Sequence, residues 1–162
     1  MKIVVASDHA GFQLKEAVKA FLTSQGYEPV DFGTTSEDSV DYPDYGIPAA
    51  EAVARGAGAR GVFVCGSGIG MSILANKIPG IRAALCTTVK MAEFSRSHND
   101  ANVLVLGERI VDKDSALEIV KVWLSTPFEG GRHKRRIEKI TAYEGGQSAY
   151  PPSPQSERSV IC

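Results

Sequence analysis

Gly61-Val62-Phe63-Val64-Cys65-Gly66-Ser67-Gly68-Ile69-Gly70-Met71-Ser72-Ile73 is the stretch on which the reading of this chain turns. Val62, Phe63 and Val64 form a continuous apolar run rich in β-formers, the pattern of a strand covered on both faces. Gly66, Gly68 and Gly70 follow, and glycines allow both tight turning and close approach of a ligand to the backbone. A helix beginning near Ile69 aims N–H groups and the positive end of its dipole over that turn. The stretch therefore predicts strand, glycine turn and helix, with an anion or oxyanion site above the turn and Cys65 at its rim.

The glycine pattern also excludes two ligands. It is G-x-G-x-G, and Met71 stands where a dinucleotide fingerprint needs its third glycine. No G-x-x-x-x-G-K-[ST] occurs anywhere, so the chain has no triphosphate loop of that kind. Taken alone, the turn also fits a plain strand-to-helix connection, and Cys65 a small buried hydrophobe.

Working outward, the same alternation repeats. Ile3 to Ala6 reads as a first strand that ends at Ser7-Asp8-His9-Ala10-Gly11. Helical spacing of Phe12, Leu14, Ala17, Val18, Phe21 and Leu22 follows, with Gly26 as a stop. Glu28 to Phe32 is a second strand, Thr34 to Tyr45 a polar loop, and Tyr45 to Ala54 a helix. After the central strand its helix runs to about Lys77. Ile81 to Cys86 and Asn102 to Leu106 are strands four and five, with a helix over Val89 to Ser97 between them. Ser115 to Leu124 and Arg132 to Tyr143 are the last helices. This predicts an α/β fold: a Rossmann-like, doubly wound five-stranded parallel sheet with helices on both faces. Residues 1–144 read as one domain, and 145–162 as a Pro/Ser/Gly-rich disordered tail.

In such a sheet, with strand order 2-1-3-4-5, strands one and three meet where the winding reverses, and ligands bind outside their carboxyl ends. Asp8, His9 and Cys65 therefore converge on one crevice. Arg109 follows strand five at the same edge. Ser97-His98-Asn99-Asp100 precedes strand five, at the opposite edge, and reaches Cys65 only if a long loop or another subunit carries it. Arg132 and Arg136 stand one helical turn apart, and two guanidinium forks on one face suit a phosphate.

Composition narrows the class. The 162 residues carry a net charge of −1, which draws the chain to neither nucleic acid nor an anionic membrane. Three widely spaced cysteines (Cys65, Cys86 and Cys162) fit neither a metal finger nor a disulfide framework. No stretch reads as a signal peptide or membrane span, so the expected location is the cytoplasm.

Several clusters together resemble ribose-5-phosphate isomerase type B, in a wider family with allose-6-phosphate and galactose-6-phosphate isomerases. They are Ser7-Asp8-His9-Ala10-Gly11, Val40-Asp41-Tyr42-Pro43-Asp44-Tyr45, Cys65 to Ser72, Ala75 to Ala83, Ser97 to Asn102, Gly107-Glu108-Arg109 and Gly130-Gly131-Arg132-His133. The resemblance runs from Met1 to about Tyr143. It implies metal-free and cofactor-free interconversion of ribose 5-phosphate and ribulose 5-phosphate through an enediolate, a pentose phosphate pathway step. It further implies Cys65 as the base, because Met71 replaces the glutamate used by another branch, with Ser67 adding a hydroxyl donor. His98 would open the furanose ring and Asn99 would bind the sugar. Asp8, His9, Tyr42, Gly66, Gly68, Ile69 and Gly70 would line the substrate, and Arg109, Arg132 and Arg136 would hold its phosphate. The resemblance also implies a homodimer, or dimer of dimers, with shared active sites. The competing expectations are a six-carbon sugar-phosphate isomerase and a non-catalytic sugar-phosphate-binding module.

Overall fold

Ile3-Val4-Val5-Ala6 is wholly buried, with Ile3 and Val5 in one core and Val4 and Ala6 in the other. That division is the period-two geometry of a strand covered on both faces. The computed structural model describes residues 1–146, so the expected tail falls, beyond Gly146, outside the described residues. Among them run β1 (Lys2–Ser7), α1 (Phe12–Ser24), β2 (Glu28–Asp31), α2 (Tyr42–Ala54), β3 (Arg60–Cys65), α3 (Ile69–Ala75), β4 (Ala83–Leu85), α4 (Val89–Ser97), β5 (Val103–Gly107), α5 (Lys113–Ser125) and α6 (Gly131–Glu144). A short 3-10 turn, His9–Gly11, joins β1 to α1.

All strand pairs are parallel, and the order is β2-β1-β3-β5-β4. The last two strands are thus exchanged relative to the expected 2-1-3-4-5. The reason lies in their lengths and apolarity. Val103-Leu104-Val105-Leu106-Gly107 is buried throughout and needs cover on both faces, whereas Ala83-Ala84-Leu85 is short and half-buried, as suits an edge. The exchange sets Gly107 directly beside Cys65 and so carries Arg109 to the crevice.

One core packs α1 and α5 on the sheet through Leu14, Val18, Ile119, Val120 and Trp123. The other packs α2 and α3 through Ala49, Val53, Met71 and Leu74, and Cys65 belongs to that side. Helix α2 begins at Tyr42 rather than Tyr45, because Pro43 falls in its first turn, where a missing N–H costs nothing. Helix α6 buries only His133 among its residues. No helix among the described residues is long and apolar enough to cross a membrane.

Under α1, Lys15 is almost fully enclosed, and its ammonium lies 2.6 Å from Asp31 and 2.7 Å from Glu16. Burial works against the Asp31 charge, but Lys15, Lys19 and the Gly33 N–H together hold its carboxyl below the ordinary value. That network ties α1 to β2.

Candidate active site

Where β1, β3 and β5 end side by side, a cavity of about 360 Å³ opens, lined by Asp8, His9, Tyr42, Cys65, Ser67 and Arg109, with Ile110 at its wall. Its centre is the β3 turn. Gly68 sits at φ +79°, the left-handed region open to glycine, and its backbone lies against the Leu85 side chain and the Leu106 carbonyl carbon. The Gly68 N–H donates to Cys65 Sγ at 3.2 Å, and the Ile69 N–H donates to Ser67 Oγ at 3.3 Å. Two amides expected to face a ligand are therefore spent inside the turn, on the sulfur and the hydroxyl. Helix α3 is also shorter than expected, ending at Ala75.

Neighbouring loops close round this turn. Arg109 N–H donates to the Gly66 carbonyl and Glu108 N–H to the Cys65 carbonyl, each at 3.0 Å. The Arg109 guanidinium lies close over Gly66, where a Cβ would sit 3.4 Å from its Cζ. Gly11 brings the His9 turn so near that a Cβ there would stand 2.8 Å from the Val64 carbonyl carbon and 2.9 Å from Cys65 N. The Tyr42 ring rests on Gly70 at similar closeness.

Asp8 is buried, and its Oδ1 has no hydrogen-bond partner among the described residues. Burial raises its carboxyl pKa, against the opposing pull of His9, the Ala10 and Gly11 amides and Arg109. A buried acceptor left open beside a cavity is a place for a ligand hydroxyl. His9 Nδ1 lies 3.1 Å from both the N–H and the C=O of Val40, which commits that nitrogen to the 40s loop.

The remaining expected residues do not reach this cavity within one chain. His98 caps the carboxyl end of α4, at the opposite sheet edge, stacked between Phe94 (4.7 Å) and His133 (4.2 Å). Asn99 gives its carbonyl to Arg82 Nε at 3.0 Å. Arg132 and Arg136 are exposed on α6, and the Arg132 Nε–H donates to His133 Nε2 at 3.4 Å. Burial, then His98, Arg132 and Arg136, lower the His133 pKa and favour its neutral ring. A larger cavity, about 780 Å³, runs beneath α6 past Phe128, Lys134, Ile137 and Thr141, and it gathers no comparable set of reactive groups.

Sequence reasoning gave no role to Glu108, quoted only as part of a motif, and passed over Ile110 and Glu129. Glu108 Oε2 accepts the Leu14 N–H at 2.9 Å and so caps α1, whose own cap residue, Gly11, has no side chain. Its adjacency to Arg109 was the available signal.

A thiol, an open buried carboxylate and an arginine line one cavity at the carboxyl edge of a doubly wound sheet, an arrangement that fits a small hydroxylated anion and the class of small-molecule enzymes. The comparisons make the class particular. Residues 3–140 match the model of the family described as Ribose/Galactose Isomerase, and the chain belongs to that family. It is 48% identical over 143 residues to ribose-5-phosphate isomerase B of Escherichia coli, covering 88% of this chain and 96% of that one. The structure of Clostridium thermocellum ribose-5-phosphate isomerase B superposes with a TM-score of 0.89 at 55% identity, covering 91% of this chain and all of the other. Ribose-5-phosphate isomerase B from Mycoplasma genitalium, solved with bound ribulose-5-phosphate, gives 0.85 at 39% identity, covering 89% of this chain and 96% of that one. The protein is an isomerase of sugar phosphates.

Proposed function

We propose that this isomerase interconverts D-ribose 5-phosphate and D-ribulose 5-phosphate in the cytoplasm, with Cys65 as the base and with sites shared between two copies of the chain. The observation that carries the reading is the Cys65 sulfur. It is held by the Gly68 N–H at 3.2 Å in a cavity that also presents the open Asp8 oxygen and Arg109. The match to proteins named for this reaction supports the substrate.

The chemistry divides into two stages. In the furanose, the bond between C1 and the ring oxygen breaks. The C1 hydroxyl loses a proton and the ring oxygen gains one, a task for an imidazole that serves as acid and base. His98 fills that role from a second copy of the chain. In the open form, Cys65 thiolate takes the C2 proton and returns it to C1, while O2 gives up its hydroxyl proton and O1 accepts one. The intermediate enediolate needs donors near both oxygens, supplied by the Ser67 hydroxyl and by N–H groups of the 66–70 turn other than those of Gly68 and Ile69, which are already spent. The Gly68 N–H bond strengthens when the sulfur is ionised. Asp8, His9 and Tyr42 seat the sugar, with Asn99 of the second copy. Arg109, with Arg132 and Arg136 of the second copy, holds the phosphate far from the reacting carbons and so orients a flexible chain.

Sharing is supported by the exposed apolar surface. Ile47, Ile69 and Ile73 on α2 and α3, Val89 and Phe94 on α4, and Ile140 on α6 are all exposed. On α3, Ile69 and Ile73 stand one helical turn apart and so expose a paired apolar face of the kind that seats a partner. The test is solvent deuterium incorporation into ribose 5-phosphate, followed by NMR with chelator present. Exchange and ribulose 5-phosphate are expected from the unaltered protein, and loss of both from Cys65→Ala. Exchange persisting in that variant would move the base elsewhere. No exchange in the unaltered protein would overturn the five-carbon reading.

A further inference from the structure

We propose that His98, Glu129 and His133 form a binding site for one divalent transition-metal ion of the zinc or nickel type, and that its occupancy inhibits the isomerase by sequestering His98. The three side chains offer ligand atoms that all lie within 4.8 Å of one another. Glu129 Oε2 stands 3.9 Å from His98 Nε2 and 3.9 Å from His133 Nε2. With metal–ligand bonds of about 2.1 Å, ligand atoms in a tetrahedral site lie about 3.4 Å apart, so each Glu129 distance must close by about 0.5 Å and the widest separation by up to about 1.4 Å, which side-chain rotation of His98 and Glu129 can supply.

The mobility needed is available on two of the three ligands. The His133 side chain is 8% exposed, whereas His98 is 33% and Glu129 59% exposed. The imidazoles are stacked with planes 1° apart, which keeps their in-plane lone pairs parallel, so coordination requires the His98 ring to leave the stack by turning about its Cβ–Cγ bond. Backbone anchors already hold the parts together: the Glu129 N–H donates to the Ser97 carbonyl at 3.0 Å, and the His133 N–H to the Gly130 carbonyl at 3.0 Å. His133 Nε2 accepts from Arg132 at 3.4 Å, which shows a lone pair on that nitrogen and only a long hydrogen bond for a metal to displace. Arg132 and Arg136 oppose a cation, but they equally oppose protonation of His133, its chief competitor for that lone pair. Two imidazoles and a carboxylate with a fourth position open to water is a ligand set suited to zinc and nickel rather than to magnesium or calcium. Metal here would act against catalysis, since the lone pair of His98 would no longer take a proton.

Binding of the ion does not depend on the reaction assigned above; the inhibition does rest on that reading of His98. The experiment titrates the purified full chain with cobalt(II), read by its visible absorption, and with zinc(II) against a chromophoric chelator. Expected are one ion per chain without thiolate charge-transfer absorption, and affinity in Glu129→Gln and His133→Gln weaker by at least the roughly 10- to 100-fold that even outer-shell losses cost. Equal affinity in the exposed-site variant Glu129→Gln, or a thiolate band, would overturn the site. Zinc is then added to turnover in both directions. Ribulose 5-phosphate has its C5 oxygen phosphorylated, so it stays open-chain, and exchange of its C1 hydrogen needs no ring opening. Zinc should slow conversion of ribose 5-phosphate while sparing that exchange. Tight binding with unchanged ribose 5-phosphate turnover would refute the inhibition and count against His98 as the ring-opening group.

Discussion

Replacing Gly68 by alanine tests the turn that holds Cys65, and its cost can be assembled from two parts. The first is backbone: at φ +79° an L-residue is strained by about 1–2 kcal/mol. The second is packing, because a Cβ there would meet the Leu106 carbonyl carbon at 3.1 Å, Gly107 N at 3.2 Å and the Leu85 side chain. Overfilling of that kind costs about 1–3 kcal/mol. The sum, about 2–5 kcal/mol, corresponds to a fall in Tm of roughly 4–20 °C for a chain of this size. Gly26 provides the control, since it has φ +78° and nothing within 4 Å of an added Cβ. Gly26→Ala should carry the backbone part alone. Gly11→Ala, with no positive φ but close backbone neighbours, should carry the packing part alone. Denaturant unfolding of the three variants separates the contributions, and turnover should fall in Gly68→Ala and Gly11→Ala but not in Gly26→Ala. If Gly68→Ala proved no more costly than Gly26→Ala, the steric account of the turn would be refuted.

Other substitutions probe the charges around the site. The raised Asp8 carboxyl binds its proton more tightly in the fold than in the unfolded chain, so its ionisation destabilises the fold progressively as pH rises from 3.8 and fully above the raised value. Asp8→Asn should therefore be more stable than the parent at neutral pH, with the difference closing below pH 3.8, while substrate turnover is lost; equal melting temperatures at pH 7 would contradict it. Asp31 behaves oppositely: its lowered carboxyl stabilises the fold above 3.8, and that stability is lost as pH falls through the lowered value. Asp31→Asn should cost about 1–3 kcal/mol at pH 7, less than a fully broken buried pair because Lys15 keeps Glu16, and urea melts at pH 7 and at acid pH should show the difference shrinking. Glu108→Ala should cost about 0.5–2 kcal/mol by uncapping α1 and should raise KM, whereas Glu108→Gln keeps an acceptor for Leu14 and should retain both stability and KM.

Local pattern made much of this legible from sequence. The apolar runs of β1 and β3, the glycines after Cys65 and the exact span of α4 are all short-range signals, and Asp8, His9 and Cys65 meet where the switch point requires. The order of β4 and β5 was not legible, because neighbouring strands are chosen by burial, which the three residues of β4 signal weakly. Nor was the internal use of the Gly68 and Ile69 amides, which depends on the direction of single N–H vectors. The capping role of Glu108 was not legible since its target, Leu14, lies 94 residues away. His98, Arg132 and Arg136 were singled out by motif, yet their edge of the sheet faces away from Cys65 within one chain. Under the proposed function they therefore join the site of a second copy.

That union is the central claim, and mixing two inactive variants tests it most directly. Cys65→Ala and His98→Asn are each combined with the other after dissociation and reassociation. In a two-fold dimer with shared sites, half the molecules formed are mixed, and each has one of its two sites intact, so about a quarter of the parental activity should return. If the mixture stays as inactive as its components while mixed dimers are demonstrably present, the shared site is wrong.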